Sequence, residues 1–259
     1  MINYSFSLQN FESFLLILVR ISSFVFVAPF FGMTNTPARV KIGFSAFVAI
    51  LLYGIVPRGT VEYTDVIGYA TIVVQEGITG LLIGFAASIC NSIVLLSGNI
   101  IDMNIGLSMA MEYDPVTHTN APITGNFYNY LLMMLLIITD MHHYIFRAVV
   151  DSYLLIPIGG QKFQWDSLAE SMLKYMGDSM VIGFRIALPV FAVIMILNCI
   201  LGVMAKVAPQ MNMFAVGMQL KVLIGLAVML LTIQLLPAVA DFIFDEMKRM
   251  VVSMIKGMY

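Results

Sequence analysis

Residues 66–101 read VIGYATIVVQEGITGLLIGFAASICNSIVLLSGNII, a largely apolar run that Gln75 and Glu76 interrupt. A helix that crosses the hydrocarbon core of a bilayer needs about 20 apolar residues. Val66–Ile101 is too long for one such span. It is rich in Leu, Ile and Ala and has no two-residue alternation, so helix is expected and a β-barrel is not.

The same texture extends outward in both directions. Further apolar runs are Phe11–Phe31, Ile42–Val56, Ile123–Thr139, Tyr144–Ile158, Met180–Ala205 and Met213–Ala240. Asn35-Thr36-Pro37, Pro57-Arg58-Gly59, Asp114-Pro115, Pro157-Ile158-Gly159-Gly160 and Ala208-Pro209-Gln210 punctuate them. Ile42–Val56 and Tyr144–Ile158 are too short to span. The spread of lengths predicts hairpins and broken helices, which are tolerated where protein or a cavity, not lipid, surrounds them. An all-α membrane protein is expected, and not a simple flat transmembrane bundle.

Composition agrees. Of 259 residues, 60% are hydrophobic and 11% are Asp, Glu, Lys or Arg, against about 25% charged in a soluble domain. The mean hydropathy is +0.94. These values argue against a cytosolic enzyme and a disordered chain. A net charge of −2 offers no basic excess for phosphates, which argues against nucleic-acid binding. No Lys or Arg precedes Arg20, so the first apolar stretch lacks the basic start of a cleaved signal peptide and is expected to remain. Cys90 and Cys199 sit inside apolar runs and are expected to be buried, without a disulfide. If the seven runs alternate across the membrane, Lys248, Arg249 and Lys256 fall on the basic side, which places the C-terminus in the cytoplasm.

Two domains are expected: residues 1–240 as the helical membrane part, and 241–259 as an amphipathic helix. In the latter, Ile243, Met247, Met250, Met254 and Met258 recur at helical spacing. That stripe predicts a helix lying on a membrane or a partner.

Charges within apolar runs are costly. Each of Arg20, Glu76, Arg147, Asp151, Arg185, Lys206 and Lys221 costs about 2.5–3.5 kcal/mol at the centre of a lipid-facing helix. Lys206 and Lys221, near run ends, are expected to snorkel or pair. Arg20, Glu76 and Arg185 are deeper and are expected to need partners, from another chain if not from this one. A proton relay uses the same residue types, but no acidic residues recur in two corresponding halves. Gly80, Gly84, Ser88 and Ser92, four apart, form a small-residue ridge that lets a helix approach closely, within the chain or between subunits.

Chemical motifs are sparse. Asp140-Met141-His142-His143 suggests a metal, but adjacent histidines point to different faces of a helix and no HExxH spacing is present, so no metal is expected. Ser97, Ser108, Ser152 and His118 lie in no nucleophile frame, so no catalytic residue and no cofactor is expected.

The longest stretch without clear helical character is Gly106–Pro122. Its first half is apolar and its second half polar, with Pro115 and Pro122 opposing helix. Loops of this length are functional or disordered. Met103, Met109 and Met111 flank Gly106, which can act as a bend. Methionine is flexible enough to seal an irregular opening and then yield. With Glu112, Asp114 and Pro115, these residues are the candidate gate or plug.

The ordered series of motifs resembles the R subunit family of type III secretion export gates, which has flagellar and injectisome branches. The resemblance rests on Val27-Ala28-Pro29-Phe30-Phe31-Gly32, Asn35-Thr36-Pro37-Ala38-Arg39-Val40-Lys41-Ile42-Gly43, Ser97-Gly98 with Ile101-Asp102-Met103-Asn104-Ile105-Gly106, Asp114-Pro115, and His142-His143 with Ser152 and Pro157. Pro209-Gln210-Met211-Asn212-Met213-Phe214-Ala215-Val216-Gly217-Met218-Gln219-Leu220-Lys221 completes it. Pro37, Arg39, Gly98, Pro209, Gln210 and Lys221 are its motif residues. Gln219 stands where proline is common, Asp140-Met141 where glycines are common, and Asn104 where glutamine is frequent.

The resemblance implies a non-enzymatic subunit of a protein-export gate in the bacterial inner membrane, within the flagellar basal body. It implies kinked helical hairpins stacked into a cone with FliP-like and FliQ-like subunits, and an FlhB-like protein at the cytoplasmic entrance. Unfolded export substrates pass through, and the family's plug loop corresponds to Gly106–Pro122. In that frame Gly80, Gly84, Ser88, Arg20, Glu76 and Arg185 are expected at subunit contacts. An injectisome R subunit is the alternative, followed by a stand-alone small-solute transporter built around Glu76 and Arg185.

Overall fold

The structure, a computed structural model, describes residues 8–29, 31–32, 36–56, 63, 65–110, 112–114, 119–210 and 212–259. Its helices are α1 Leu8–Val27, α2 Ala38–Tyr53, α3 Val66–Ile105, α4 Ile123–Ile138, α5 Met141–Leu155, α6 Trp165–Val207, α7 Met213–Thr232 and α8 Leu236–Lys256. Short 3-10 turns cover Leu107–Ala110 and Ile233–Leu235. A two-stranded antiparallel ribbon, β1 Glu112–Asp114 with β2 Thr119–Ala121, sets Glu112 opposite Ala121 and Asp114 opposite Thr119. The chain is an all-α membrane protein, with this ribbon confined to one loop.

Among the described residues, Asn10–Val27, Val66–Ile105, Trp165–Val207 and Phe214–Lys256 are long and apolar enough to cross a membrane. α4 and α5 qualify only as a pair. They part at Thr139-Asp140, where Asp140 takes a left-handed conformation, φ 56. Asp tolerates that region better than most residues.

Three run boundaries differ from expectation, each for a local reason. α3 is one hydrogen-bonded helix of 40 residues, not a broken one. Gln75 and Glu76 do not interrupt it, because the Glu76 charge is met within the chain. α6, with 43 residues, starts well before Met180. Asp166, Glu170, Lys174 and Asp178 lower its early hydropathy while its helical hydrogen bonds persist. The run Met213–Ala240 divides at Ile233–Leu235. Pro237 has no N–H to donate to the Ile233 carbonyl one turn back, so a new helix begins around it. Pro189 instead sits inside the continuous α6, where it leaves the Arg185 carbonyl without its helical donor.

The chain forms two compact units. The first is drawn from Met1–Ile89, Asp140–Tyr175 and Asp245–Tyr259. Its core includes Leu16, Ile21, Phe24, Ile83, Ile145 and Val149, all at most 1% exposed. Gly80 carries no Cβ because Ser23 Oγ and the Arg20 carbonyl of α1 lie against it, and a Cβ on Gly84 would stand 3.0 Å from the Phe24 carbonyl. The small-residue ridge therefore receives α1 of the same chain. Ser88, half-buried, donates to its own helix at the Phe85 carbonyl. At the edge of this unit Tyr63 Oη donates to Glu12 Oε1 at 2.7 Å, which raises the phenol above its ordinary pKa.

The C-terminal stripe is also used internally. Ile243, Met247, Met250, Met254 and Met258 are 0–1% exposed. Within the first unit, the N–H groups of Lys162 and Gln164 donate to the carbonyls of Met258 and Gly257 at 3.1 and 3.0 Å. A Cβ on Gly257 would meet Leu168 at 2.7 Å. α8 begins at Leu236, and the stripe expected to meet a membrane or a partner is buried. Its apolar face is satisfied before any membrane or partner reaches it.

The second unit is drawn from Cys90–Thr139 and Met176–Phe244. Ile93, Ile101, Ile105, Leu136, Val190 and Ile194 are among its buried residues. Its outer surface stays apolar: on α7, Leu223, Leu230 and Leu231 are 68–71% exposed. Cys199, expected to be buried, is exposed on α6; the Cys90 side chain lies outside the described residues.

Candidate functional site

The candidate gate loop lies within the second unit, between the end of α3 and the start of α4. α3 stops at Gly106, φ 94, whose N–H still donates to the Asp102 carbonyl at 3.0 Å. A left-handed glycine one step past the last helical residue is a favoured way to end a helix. The 3-10 turn and the β-ribbon follow, and Pro122 caps α4 with φ −67. Proline suits that place, since helix starts carry donors that find no partner within the helix.

What holds the loop is at its base. Thr124 donates twice to the buried Asp102 carboxylate, from its backbone N–H to Oδ2 at 3.1 Å and from its hydroxyl to Oδ1. Four residues before Asp102 on α3, Gly98 lies against the backbone of Gly125, and neither position has room for a Cβ. A bulkier residue at Gly125 would also meet Pro122 at 2.6 Å. A Cβ on Gly225 of α7 would meet Ile105 at 2.5 Å. The two stems are thus pinned by a charge-assisted clamp and a glycine crossing, while Met103 between them is 70% exposed. Hydrogen bonds to a charged group contribute about 1.5–3 kcal/mol each when buried.

The predicted loop residues divide accordingly. Met103 and Gly106 lie at the stem, Met109 lies in the 3-10 turn, and Glu112 and Asp114 bound β1. Met111 and Pro115 lie outside the described residues. Sequence reading missed Thr124, Gly125 and the role of Asp102. A carboxylate inside an apolar run was the available signal.

In the first unit, Arg20 and Glu76 meet each other rather than another chain. Arg20 Nε donates to Glu76 Oε2 at 2.6 Å and Nη2 to Oε1 at 3.1 Å, with both side chains fully buried. Nη1 donates to Ser152 Oγ at 3.3 Å and to the Ile156 carbonyl at 3.2 Å. The guanidinium lies 4.1 Å from the Tyr153 ring centroid. Glu76 Oε1 also accepts from Gly159 N–H at 3.0 Å and Gln161 Nε2 at 2.7 Å. A buried ion pair survives when its spare donors and acceptors are also matched, and here they are. The partners these two groups were expected to need thus lie within the same chain.

Arg185 differs. It is exposed on α6, and no ion pair of Arg185 is found among the described residues. Lys206 is exposed and Lys221 half-buried; Pro37, Arg39, Pro209 and Gln210 are exposed. Pro37 precedes the first residue of α2 with φ −56. Arg147 and Asp151 are exposed and 4.0 Å apart on α5.

Residues 11–247 match the family described as Bacterial export proteins, family 1. The chain belongs to this family. Among curated members, it is 27% identical to the flagellar biosynthetic protein FliR of Bacillus subtilis strain 168, over 91% of each chain. It is 26% identical to FliR of Escherichia coli K12, over 92% of this chain and 90% of that one. For FliR of Aquifex aeolicus VF5 the identity is 28%, over 87% and 88%. As a bacterial export protein, the chain has its Asp102–Thr124 clamp and its Gly98–Gly125 crossing well inside the matched region.

Proposed function

We propose that this chain is a non-enzymatic subunit of the flagellar type III protein-export gate, in the bacterial inner membrane, and that loop 106–122 helps close the channel through which unfolded substrates pass. The observation that carries the reading is the clamped loop: pinned at its base, bent at Gly106, carrying Met109 and Met111, and set in a family of export proteins. A plug needs this division of labour. Its base must hold position while its tip yields.

Partners follow from the exposed apolar surface of the second unit. FliP-like and FliQ-like subunits cover part of it in a hetero-oligomer, lipid covers the rest, and an FlhB-like protein sits at the cytoplasmic entrance with the C-terminus on that side. Arg185, exposed one turn before Pro189 on α6, belongs at a subunit contact in this reading. The small-solute transporter loses its proposed site, since Glu76 is fully engaged by Arg20.

The test is electrical. The assembled complex with Met109–Asp114 deleted, reconstituted in planar bilayers, is expected to conduct ions where the parent complex is closed. Unchanged conductance in a complex shown intact by native mass spectrometry overturns the gating role. A purified chain that stays monomeric when co-expressed with its neighbours overturns the assembly.

A further inference from the structure

At the first turn of α5 the structure brings together groups that the sequence sets apart. The ligand atoms of Asp140, His142 and His143 all lie within 4.8 Å of one another. Asp140 Oδ1 is 3.4 Å from His143 Nδ1. The two imidazole rings are 4.0 Å apart and inclined by 38°. Asp140 and His143 are exposed and His142 is half-buried.

Neighbours on a regular helix are turned about 100° apart, which is why adjacent histidines are poor joint ligands. Here the two rings come close at the helix start, tilted rather than turned apart. The preceding Asp140 enters in the left-handed region, which carries its carboxylate onto the same side.

We propose that Asp140, His142 and His143 bind one divalent transition ion of the zinc, nickel or copper class. Imidazole nitrogen and carboxylate oxygen ligate zinc at about 2.0–2.2 Å, so ligand atoms around one ion stand about 3.3–3.5 Å apart. The Asp140–His143 pair already has that spacing, and small side-chain rotations bring the third atom in. Two nitrogens and one oxygen suit a borderline ion; calcium takes six or more oxygens and magnesium an octahedron of them. Three protein ligands leave one position for water.

Two features oppose a cation. The helix start is a positive pole, and Arg147 lies one turn on from His143. The Asp140 carboxylate offsets the first, and Asp151, 4.0 Å from Arg147, offsets the second. The same exposed polar groups keep this side of α5 accessible from water.

The experiment uses the full-length protein in detergent with no added histidine tag. Zn²⁺ alone is titrated by calorimetry, and Cu²⁺ alone is followed by electron paramagnetic resonance. The expected result is one ion per chain with hyperfine splitting from two imidazole nitrogens. His142→Gln and His143→Gln each lower affinity by roughly tenfold or more. Asp140→Gly keeps the left-handed turn, removes the carboxylate and also weakens binding, with helix content unchanged by circular dichroism. His118→Ala removes the remaining histidine and leaves the stoichiometry at one. An absence of binding by the parent protein overturns the proposal. So does binding retained by the His142→Gln, His143→Gln double variant.

Discussion

The two compact units treat polarity in opposite ways. The first unit buries a complete ion pair, Arg20 with Glu76, and matches its remaining donors and acceptors with Ser152, the Ile156 carbonyl, Gly159 and Gln161. It also covers the methionine stripe of α8. The second unit buries the Asp102 carboxylate at the foot of a loop, and leaves Leu223, Leu230, Leu231 and Arg185 on its surface. The difference teaches where the chain is complete and where it is not. The first unit meets its buried ion pair from its own residues. The second presents an apolar exterior and, among the described residues, an arginine with no ion pair.

The sharpest way to break this contrast is at the ion pair. Glu76→Ala leaves Arg20 buried and unmatched, at an expected cost of about 3–5 kcal/mol. Thermal unfolding in detergent should show a large drop, or the chain should fail to accumulate. The paired change Arg20→Met with Glu76→Leu removes both charges and should recover most of that loss. Equal melting of Glu76→Ala and the parent would show that the first unit does not depend on its buried pair.

Next in size is the glycine crossing of the second unit. Gly98→Val inserts methyl groups where the Gly125 backbone lies, at an expected cost of about 1–3 kcal/mol. Thr124→Val keeps the side-chain shape but strips a donor from buried Asp102, for a cost of roughly 1–3 kcal/mol. Hydrogen exchange across 106–122 should rise in both variants, while exchange around Arg20 stays as it was. A rise spread evenly over both units would erase the distinction between them. The smallest effect belongs to the surface: Asp245→Asn breaks the exposed contact with Lys248, 3.0 Å long, and should change stability by less than about 1 kcal/mol.

Much of the fold was legible because hydropathy and helix coincide over most of the chain. α3, α4 and α5 start within about three residues of the apolar runs, inside the usual uncertainty of helix ends. The first turns of α6 were not legible, because Asp166, Glu170, Lys174 and Asp178 form a helix without forming an apolar run. The break before α8 was legible in Pro237 but was outweighed by the surrounding leucines. The site divided in the same way. Gly106 announces a bend by its residue type. The Asp102–Thr124 clamp depends on two residues 22 positions apart, and no local pattern encodes such a pairing. Charge loneliness misled for the same reason: Arg20 and Glu76 are 56 residues apart.

The return of residues 245–259 to the first unit has a consequence for synthesis. The ribosome delivers the segments of that unit in three instalments, with the second unit made between them. Its interior remains unroofed until Met254 and Met258 emerge. The sequence of the second unit is therefore finished while the first still waits for this segment.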